Sequence, residues 1–381
     1  MKVLHVISSL DPAAGGVTSV VQGLAAAQAR AGLDVRVVAP TKGDGQQQTL
    51  DALRGAGVAV TLAPRGRPPT GWSWGLPALM RRLAADVDLV HIHALWEEIQ
   101  HAGARAAQRL NKPYILAPHG MLDPWSLAQS KLRKQLYLAL RLRRNLDRAA
   151  AIHFTAQREA ELVEPLGLRP QAIVEPNGLD LSEFDDLPPR EELASWLPET
   201  AGRKVLLFFS RLHPKKGLDL LLPAFKAVDD PQLVLVLAGP ATPEYRSELE
   251  HTARQLGVAD RVIFTGMLTG RKRLSALTGA DLFVLPSYQE NFGIVVIESL
   301  ICRTPVVISD QVNIFREIVA SGGGAATPTQ LEPLTAALRQ WLSDPERREQ
   351  AGRRGAAFVR EQYDWAKLAQ RWTGHYEKLL A

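Results

Sequence analysis

The segment 286–300 has the sequence PSYQENFGIVVIESL and joins two structural patterns. It overlaps the end of the apolar run DLFVLPS, residues 281–287, which is typical of a buried strand. YQEN predicts a loop, and FGIVVIESLICR predicts a buried helix, because it continues to Arg303 without a turn signal. A strand, a loop and a helix in this order are typical of a βαβ unit. We therefore expect a parallel sheet covered by helices.

The same alternation of short apolar runs and helical patterns fills the chain. The runs of the first half are KVLHVIS, DVRVVAP, VAVTLAP, DLVHIHA, YILAPHG and AAIHFTA, and those of the second are KVLLFFS, LVLVLAG, RVIFTG, DLFVLPS and TPVVISD. Pro, Asn, Gly and acidic residues interrupt the pattern and predict a linker at about 177–200. The sequence thus predicts an α/β protein with two doubly wound, Rossmann-like domains facing each other across a cleft.

Composition narrows the class of protein. The chain has 381 residues, which favours two domains, and 46% of them are apolar, as in globular proteins. A net charge of +5 favours anionic partners, although no nucleic-acid-binding module is recognisable and we expect no nucleic acid partner. Cys302 is the single cysteine, so a cytoplasmic location is the default expectation. The N-terminus lacks a signal-peptide pattern, and no run is long enough to span a membrane.

Two segments have features of anion-binding sites. Gly15 and Gly16 follow the first strand and open a helix that is predicted to reach about Ala31, so their N–H groups are accessible to a ligand. They do not form the GxGxxG fingerprint, so NAD binding is not supported. Arg211 and Lys216, in SRLHPKKG, follow a buried strand at its carboxyl end and could neutralise a diphosphate. The alternatives are that the two glycines only turn the chain and that Arg211 and Lys216 only belong to a solvated basic loop.

Glu290 and Glu298 frame the N-terminal part of the helix predicted in the opening segment. The N–H groups of Phe292 and Gly293 at its start favour an anion. A separation of roughly 12 Å between the two glutamates suits one carboxylate for each end of a nucleotide sugar. The alternative is that Glu290 only complements the helix dipole and Glu298 lies on the surface.

SRLHPKKG, followed about eighty residues later by ENFGIVVIE, resembles the retaining glycosyltransferases of family 4, the group 1 transferases with a GT-B fold. The family's E-x7-E signature corresponds to Glu290 and Glu298. PHGMLDPWSL and EPNGLD extend the resemblance over nearly the whole chain. It implies an acceptor-side domain at 1–178, onto which a terminal helix at 364–381 packs, and a nucleotide-sugar-binding domain at 179–363.

The resemblance also implies roles for individual residues. Arg211 and Lys216 would hold the donor diphosphate together with the glycine loop. Glu298 would bind the ribose, and Glu290 would bind the sugar hydroxyls. His119, at the end of a strand, would contact the donor sugar near its reacting carbon. The alternative is that His119 only forms a hydrogen bond with a nearby loop. We interpret His91 as structural and His93 as at most cleft-lining. These enzymes generally need no metal, so we expect no metal or other cofactor beyond the donor substrate.

The implied reaction transfers a sugar from a nucleoside diphosphate sugar to an acceptor glycan or lipid-linked sugar, with retention of anomeric configuration. HGMLDPW resembles enzymes that build bacterial surface polysaccharides. Two other hypotheses stay open. A sugar-nucleotide epimerase would need no acceptor and release no free nucleoside diphosphate, and a non-catalytic subunit would only bind the nucleotide sugar.

The segment Lys131–Arg148, KLRKQLYLALRLRRNLDR, predicts an amphipathic helix. Its basic side carries Arg133, Lys134, Arg141, Arg144 and Arg148, and its apolar side carries Leu132, Leu136, Ala139, Leu140 and Leu146. We expect the apolar side to dock on the first domain and the basic side to meet an anionic membrane surface, which would place the enzyme peripherally on the inner face of the plasma membrane. The alternative is a solvated basic face.

Overall fold

The computed structural model of the chain describes residues 1–41, 44–64, 66 and 73–381. These residues form two compact units. The first comprises Met1–Asp180 and Asp364–Ala381, and the second comprises Leu181–Tyr363.

The first unit is built on a seven-stranded parallel sheet with the order β3-β2-β1-β4-β5-β6-β7. Its strands are β1 (Lys2–Val6), β2 (Asp34–Pro40), β3 (Ala59–Ala63), β4 (Leu89–His93), β5 (Tyr114–Ala117), β6 (Ala151–Phe154) and β7 (Gln171–Val174). The helices that precede the second unit are α1 (Gly16–Arg30), α2 (Gln47–Gly55), α3 (Leu76–Ala85), α4 (Glu98–Arg109), α5 (Pro124–Ala128), α6 (Lys131–Tyr137), α7 (Arg143–Asp147) and α8 (Gln157–Val163).

The second unit has a six-stranded parallel sheet with the order β10-β9-β8-β11-β12-β13. Its strands are β8 (Lys204–Phe209), β9 (Leu233–Ala238), β10 (Val262–Gly266), β11 (Leu282–Leu285), β12 (Val306–Ser309) and β13 (Gly324–Thr327). Its helices are α9 (Glu192–Trp196), α10 (Leu218–Val228), α11 (Pro243–Gln255), α12 (Gly270–Gly279), α13 (Ile294–Ile301), α14 (Phe315–Ser321), α15 (Leu331–Leu342) and α16 (Pro345–Gln362).

Both sheets have the strand order of a doubly wound fold, which confirms the predicted fold class. Every residue of β4, β9 and β11 is buried, because helices cover both faces of a parallel sheet. The chain reverses its direction of winding between β1 and β4 in the first sheet, and between β8 and β11 in the second. At such a switch point, the carboxyl ends of the two strands leave a crevice where ligands bind.

The final helix, α17 (Trp365–Leu380), belongs to the first unit. Its buried face carries Trp365, Leu368, Trp372 and Tyr376, which pack in one cluster with residues of β1, β4, β5 and β6. Gly23 allows α1 to approach α17 closely, because a Cβ atom there would lie 2.2 Å from the Trp365 indole nitrogen. No helix in the described part of the chain combines the length and apolarity needed to cross a bilayer.

Candidate functional site

The switch point of the second unit joins a lysine and a glutamate. Lys216 ends a short 3₁₀ turn, Pro214–Lys216, in the loop after β8, and Glu290 lies in the loop after β11. Because β8 and β11 are adjacent, both loops leave the same edge of the sheet. The Lys216 ammonium forms an ion pair with the Glu290 carboxylate. A cation and a carboxylate are therefore fixed together at the position where this fold binds ligands.

The two loops are also joined through their backbones. Gly217 has a φ of 72°, and a Cβ atom there would lie 2.1 Å from the carbonyl oxygen of Pro286, so this close approach requires glycine. Two residues earlier, the Lys215 carbonyl accepts a hydrogen bond of 2.9 Å from the Tyr288 N–H. The position of Lys216 beside Glu290 is thus set by main-chain contacts on both sides.

The ion pair is largely withdrawn from water. The Lys216 side chain is 10% exposed and that of Glu290 is 17% exposed. Burial alone would raise the pKa of Glu290, but the charges of Lys216 and Lys215 and the hydrogen bond from Lys216 lower that pKa below its ordinary value. Glu290 is therefore ionised at neutral pH, and the pair can exchange its internal contact for contacts with a polar ligand.

The other residues of the second unit that are predicted to hold a diphosphate are Arg211, Phe292 and Gly293, and they lie near this pair in the chain. Arg211 is exposed and makes no ion pair with any carboxylate in the described ranges. Gly293, with a φ of 75°, precedes α13 and gives that helix no side-chain cap, so its first N–H groups keep their capacity to bind an anion. The Phe292 side chain is buried against Tyr363, which leaves its backbone as the group available to a ligand.

Glu298 has a partner that the sequence analysis missed. Its carboxylate accepts a 2.7 Å hydrogen bond from Arg273 on α12, and Arg273 also bonds to Glu183. Burial raises the pKa of Glu298, the positive charge of Arg273 opposes that rise, and Glu183 reinforces it. A ligand hydroxyl that binds Glu298 would share this carboxylate with Arg273. No local pattern signals this pair, because it depends on how α12 packs beside α13.

The glycine loop and His119 belong to the first unit. Gly15 precedes α1 and Gly16 is its first residue; both are exposed, and a Cβ atom at either position would meet nothing within 4 Å. The Gly15 N–H donates to the Pro12 carbonyl at 3.2 Å, so the expectation that it is accessible to a ligand is wrong. His119 follows β5 in a left-handed conformation with a φ of 50°, which non-glycine residues rarely adopt. The next residue donates a 2.6 Å hydrogen bond from its N–H to the buried Glu159 carboxylate, which holds the loop in place.

His119 is neutral. Withdrawal from water and, to a smaller extent, the neighbouring His153 lower the pKa of His119 to about 3. Its Nε2 atom lies 3.1 Å from Nδ1 of His93. His93, which we interpreted as at most cleft-lining, is fully buried. The sequence did carry a signal for this contact, since a polar His-x-His pattern interrupts an otherwise apolar buried strand.

Three buried histidines approach the spacing of a metal site. Nitrogen atoms of His5, His91 and His93 lie within 4.8 Å of one another. However, His5 and His93 hydrogen bond to each other at 2.9 Å, and His5 bonds to Gln28 at 2.7 Å. A metal ion would have to replace both hydrogen bonds, so the arrangement favours a hydrogen-bonded cluster.

The first half of the segment Lys131–Arg148 is oriented differently from the prediction, whereas Leu146 is buried as expected. Leu132, Leu136 and Leu140 are 84%, 61% and 73% exposed, so the expectation that they dock on the first domain is wrong. Two of the five basic residues face the domain instead. Lys134 donates to the Ser126 carbonyl and lies 5.6 Å from the Trp96 ring centroid, and Arg141 pairs with Glu98 at 3.0 Å. Arg133, Arg144 and Arg148 are exposed.

The reversal has a structural cause. Residues Leu138–Leu142 form a π-helical turn between α6 and α7. A π turn contains an extra residue, which rotates the faces of the helix before and after it relative to each other. Leu142 and Leu146 are therefore buried, whereas Leu132, Leu136 and Leu140 point to solvent. A single 100° periodicity cannot describe such a segment.

A cavity of about 1070 Å³ in the second unit lies away from the candidate site. It is lined by residues that precede β11 and β12, at the opposite edge of the sheet from Glu290. The Asp281 carboxylate in its lining is already bound by Arg190 and Arg348. We therefore assign the site to the carboxyl edge of the sheet.

Comparison with known proteins identifies the class. The sequence model of the family "Glycosyl transferases group 1" matches residues 190–358, and that of the "Glycosyl transferase 4-like domain" matches residues 15–178. The chain belongs to the group 1, family 4 glycosyltransferases, which confirms the resemblance, and its two units are those of the GT-B fold.

Relatives agree with this membership, and a solved structure agrees with the fold. The chain is 29% identical to a D-inositol 3-phosphate glycosyltransferase of Kineococcus radiotolerans, over 94% of this chain and 89% of the relative. It is 27% identical to a GDP-mannose-dependent alpha-(1-6)-phosphatidylinositol dimannoside mannosyltransferase of Mycobacterium tuberculosis, over 97% and 94%. The crystal structure of HepE from Anabaena, in complex with UDP and glucose, has the same fold, with a TM-score of 0.81, 24% identity and coverage of 99% and 100%.

Proposed function

We propose that this glycosyltransferase moves a sugar from a nucleoside diphosphate sugar to an acceptor hydroxyl with retention of anomeric configuration. The observation that carries the proposal is the buried Lys216–Glu290 pair at the switch point of the second sheet, with Arg211 exposed in the same loop as Lys216. This combination provides positive charge for phosphate and a carboxylate for sugar hydroxyls.

The cations stabilise the leaving group. As the bond between the anomeric carbon and the β-phosphate oxygen breaks, negative charge grows on that phosphate. Arg211 supplies a planar fork for two phosphate oxygens, and Lys216 supplies a point charge. The uncapped start of α13, at Gly293, adds N–H groups of the same polarity. Charges fixed before the reaction stabilise the transition state without reorganisation.

Retention follows from a front-face substitution. The acceptor oxygen attacks the anomeric carbon on the side that the nucleoside diphosphate leaves, and the acceptor proton passes to the departing phosphate oxygen. Glu290 is a poor nucleophile because its carboxylate is paired with Lys216. We therefore assign Glu290 to the orientation of sugar hydroxyls rather than to a covalent intermediate of the kind that retaining glycosidases form.

The other roles follow the order of groups in the donor. Glu298 binds the ribose, and Arg273 holds its carboxylate in place. Gly16 offers its backbone N–H group to the diphosphate, and Gly15, whose own N–H donates to the Pro12 carbonyl, leaves room for a close approach. His119 contacts a hydroxyl of the donor sugar, and its neutral imidazole can both donate and accept a hydrogen bond. None of these groups requires a metal ion to balance the phosphate charge.

We also propose that the acceptor is lipid-linked and that the enzyme meets it at an anionic membrane surface. The support is the leucine ridge, defined as Leu132, Leu136 and Leu140, whose side chains are largely exposed. Moving a leucine from water into an apolar phase contributes roughly 1–2 kcal/mol at this exposure. The phosphatidylinositol derivative in the name of the mycobacterial relative also favours a lipid-linked acceptor.

Charge around the ridge favours anionic lipid. Residues 124–148 contain seven lysines and arginines and one acidic residue, Asp147, which is paired with Arg143. Lys131 and Arg133 flank the first leucine of the ridge and are exposed, as are Arg144 and Arg148. An apolar ridge bordered by cations is typical of helices that lie in a bilayer interface.

Product analysis tests the transfer. The purified protein is screened with UDP-, GDP- and ADP-sugars for thermal stabilisation, and the stabilising donor is then incubated with polyprenyl-linked or inositol-lipid acceptors. We expect free nucleoside diphosphate to form only with an acceptor, and NMR of the product to show the donor's anomeric configuration. An inverted product contradicts retention, and an isomerised nucleotide sugar without acceptor supports an epimerase.

A further inference from the structure

Five histidines form a row in the first unit. His5 lies on β1, His91 and His93 on β4, His153 on β6, and His119 just after β5. His91 and His93 stack with their ring centroids 4.4 Å apart, and His93 and His119 stack at 5.4 Å. Gln28 of α1 and Tyr376 of α17 contact the same row. The sugar transfer described above uses only His119, which leaves the other members without an assigned role.

A continuous chain of hydrogen bonds runs from His119 into the core. Nε2 of His119 lies 3.1 Å from Nδ1 of His93, and Nε2 of His93 lies 2.9 Å from Nδ1 of His5. Nε2 of His5 lies 2.7 Å from Oε1 of Gln28. The Gln28 amide nitrogen donates to the Tyr376 hydroxyl at 2.9 Å, and Nδ1 of His91 lies 2.9 Å from the same hydroxyl.

These contacts determine which nitrogen of each ring carries the proton. Burial lowers the pKa of His5 to about 4 and that of His93 well below its ordinary value, so both rings are neutral. A neutral imidazole donates through one nitrogen and accepts through the other. Because Oε1 of Gln28 can only accept, His5 carries its proton on Nε2. Nδ1 of His5 therefore accepts from His93, and Nδ1 of His93 accepts from His119.

We propose that Gln28, His5 and His93 are positioning residues that fix His119 in the tautomer with a proton on Nε2 and a lone pair on Nδ1. The lone pair is then a permanent acceptor for a hydroxyl donor such as a sugar. This inference rests on the proposed function for the identity of that hydroxyl, but the tautomer itself is a property of the protein alone.

The chain transmits the orientation of one amide over three rings. If His119 moved its proton to Nδ1, then two lone pairs would face each other between His119 and His93 unless every ring in the chain also changed tautomer. The last change would leave the Nε2 lone pair of His5 facing Oε1 of Gln28. In this orientation the Gln28 amide nitrogen donates to the Tyr376 hydroxyl, and that hydroxyl can donate onward to Nδ1 of His91.

Nitrogen-15 NMR of histidine-labelled protein tests the proposal without any substrate. Two-bond proton–nitrogen correlations distinguish the tautomers, and the loss of one signal set in His119→Gln assigns that ring. In the wild-type protein we expect His5, His93 and His119 to carry the proton on Nε2. A proton on Nδ1 of His119 would overturn the proposal, whatever the variants do.

Two substitutions of Gln28 separate positioning from packing. Gln28→Met fills the space without an acceptor and should give His119 mixed tautomers, whereas Gln28→Glu keeps the acceptor and should preserve Nε2–H. His153→Gln is the matched control, because His153 contacts His119 edge-on at 6.1 Å but bonds to the Glu175 carbonyl outside the chain. An unchanged His119 tautomer in Gln28→Met would overturn the proposal.

Kinetics extend the test to function. We expect kcat to fall at least tenfold in Gln28→Met and to recover in Gln28→Glu, with the nucleotide dissociation constant unchanged in both. If Gln28 had a purely structural role, the apolar methionine would be tolerated better than a buried carboxylate. Gln28→Met would then have the higher kcat of the two variants. If no sugar transfer is found with any donor but the tautomers behave as described, the proposed function fails and the positioning chain stands.

Discussion

Lys216 and Glu290 form a largely buried ion pair that joins the loops after β8 and β11, although the residues are 74 positions apart in the sequence. The pair lies at the edge of the sheet where a doubly wound fold binds its ligand. The ion pair holds the two loops together. In the proposed function, it also places a cation for the phosphate and a carboxylate for the sugar of a donor.

Removal of the two cations should separate catalysis from stability. Arg211→Ala and Lys216→Ala should each cost roughly 2–4 kcal/mol of transition-state stabilisation, measured as kcat/KM. Lys216→Ala should also lower the free energy of unfolding by about 2 kcal/mol, because it leaves Glu290 buried without its partner. Arg211→Ala should leave stability within about 0.5 kcal/mol, since Arg211 is exposed. Lys215→Ala is the control; activity within threefold of wild type in both other variants contradicts the assignment.

Acid should weaken the Lys216–Glu290 pair. The pKa of Glu290 is lower in the folded protein than its ordinary value of 4.5, so the unfolded chain binds the proton more readily. The contribution of this carboxylate is complete above about pH 4.5 and is lost as the pH falls through its folded pKa. Glu290→Gln should therefore flatten the decline of unfolding free energy below pH 4.5. Urea titrations from pH 3 to pH 7 measure the unfolding free energy of the wild type and of Glu290→Gln. Parallel curves of free energy against pH for the two proteins would contradict the prediction.

Glu298 should show the opposite pH dependence. Its pKa is raised in the folded protein, so the folded state holds the proton more tightly and loses stability as the pH rises above about 4.5. Removing the titration with Glu298→Gln should make the unfolding free energy rise more steeply with pH than in wild type across that window. The same urea titrations provide this comparison. If the unfolding free energy of Glu298→Gln rises less steeply with pH than that of the wild type, the pKa of Glu298 is not raised by folding.

The two glutamates should also differ in binding. Glu298→Gln should weaken the binding of the bare nucleoside diphosphate, because Glu298 is assigned to ribose. Glu290→Gln should lower kcat and leave that affinity nearly unchanged, because Glu290 is assigned to the transferred sugar. Titration calorimetry and steady-state kinetics on both variants test the assignment. It fails if the losses of affinity and turnover are exchanged between the two variants.

The leucine ridge should determine membrane binding. Changing Leu132, Leu136 and Leu140 to Ser should abolish co-sedimentation with anionic liposomes, and changing Arg133, Arg144 and Arg148 to Gln should weaken it and reduce its dependence on salt. Met267→Ser is a matched control, because Met267 is 65% exposed but lies on the second unit. Binding that persists in the leucine variant, or that never occurs with the wild-type protein, contradicts the proposed membrane contact.

Sequence reasoning predicted well where the pattern is local. The strand, loop and helix around Glu290 were predictable, because a continuous apolar run and the positions of turn signals can be recognised within a few residues. β7 and β13 were not predicted: both are edge strands, β7 is largely exposed and β13 is mostly half-buried, so neither has the apolar run of a central strand.

The contacts that define the site were out of reach because they are not local. The partners Lys216 and Arg273 meet Glu290 and Glu298 only after distant elements pack together, and Gln28 meets His5 only when α1 covers the sheet. The leucine ridge was assigned to the wrong side because the π turn at Leu138–Leu142 changes the phase of the helix.

The central claim is that the cations at this switch point bind the β-phosphate of the donor, and one calorimetric comparison tests it most directly. The nucleoside diphosphate that stabilises the protein and the matching monophosphate are titrated into wild-type protein and into Arg211→Ala. We predict that the wild-type protein prefers the diphosphate by about 30-fold, roughly 2 kcal/mol, and that this preference largely disappears in Arg211→Ala. An equal preference in both proteins would contradict the account, because Arg211 would then not bind the β-phosphate.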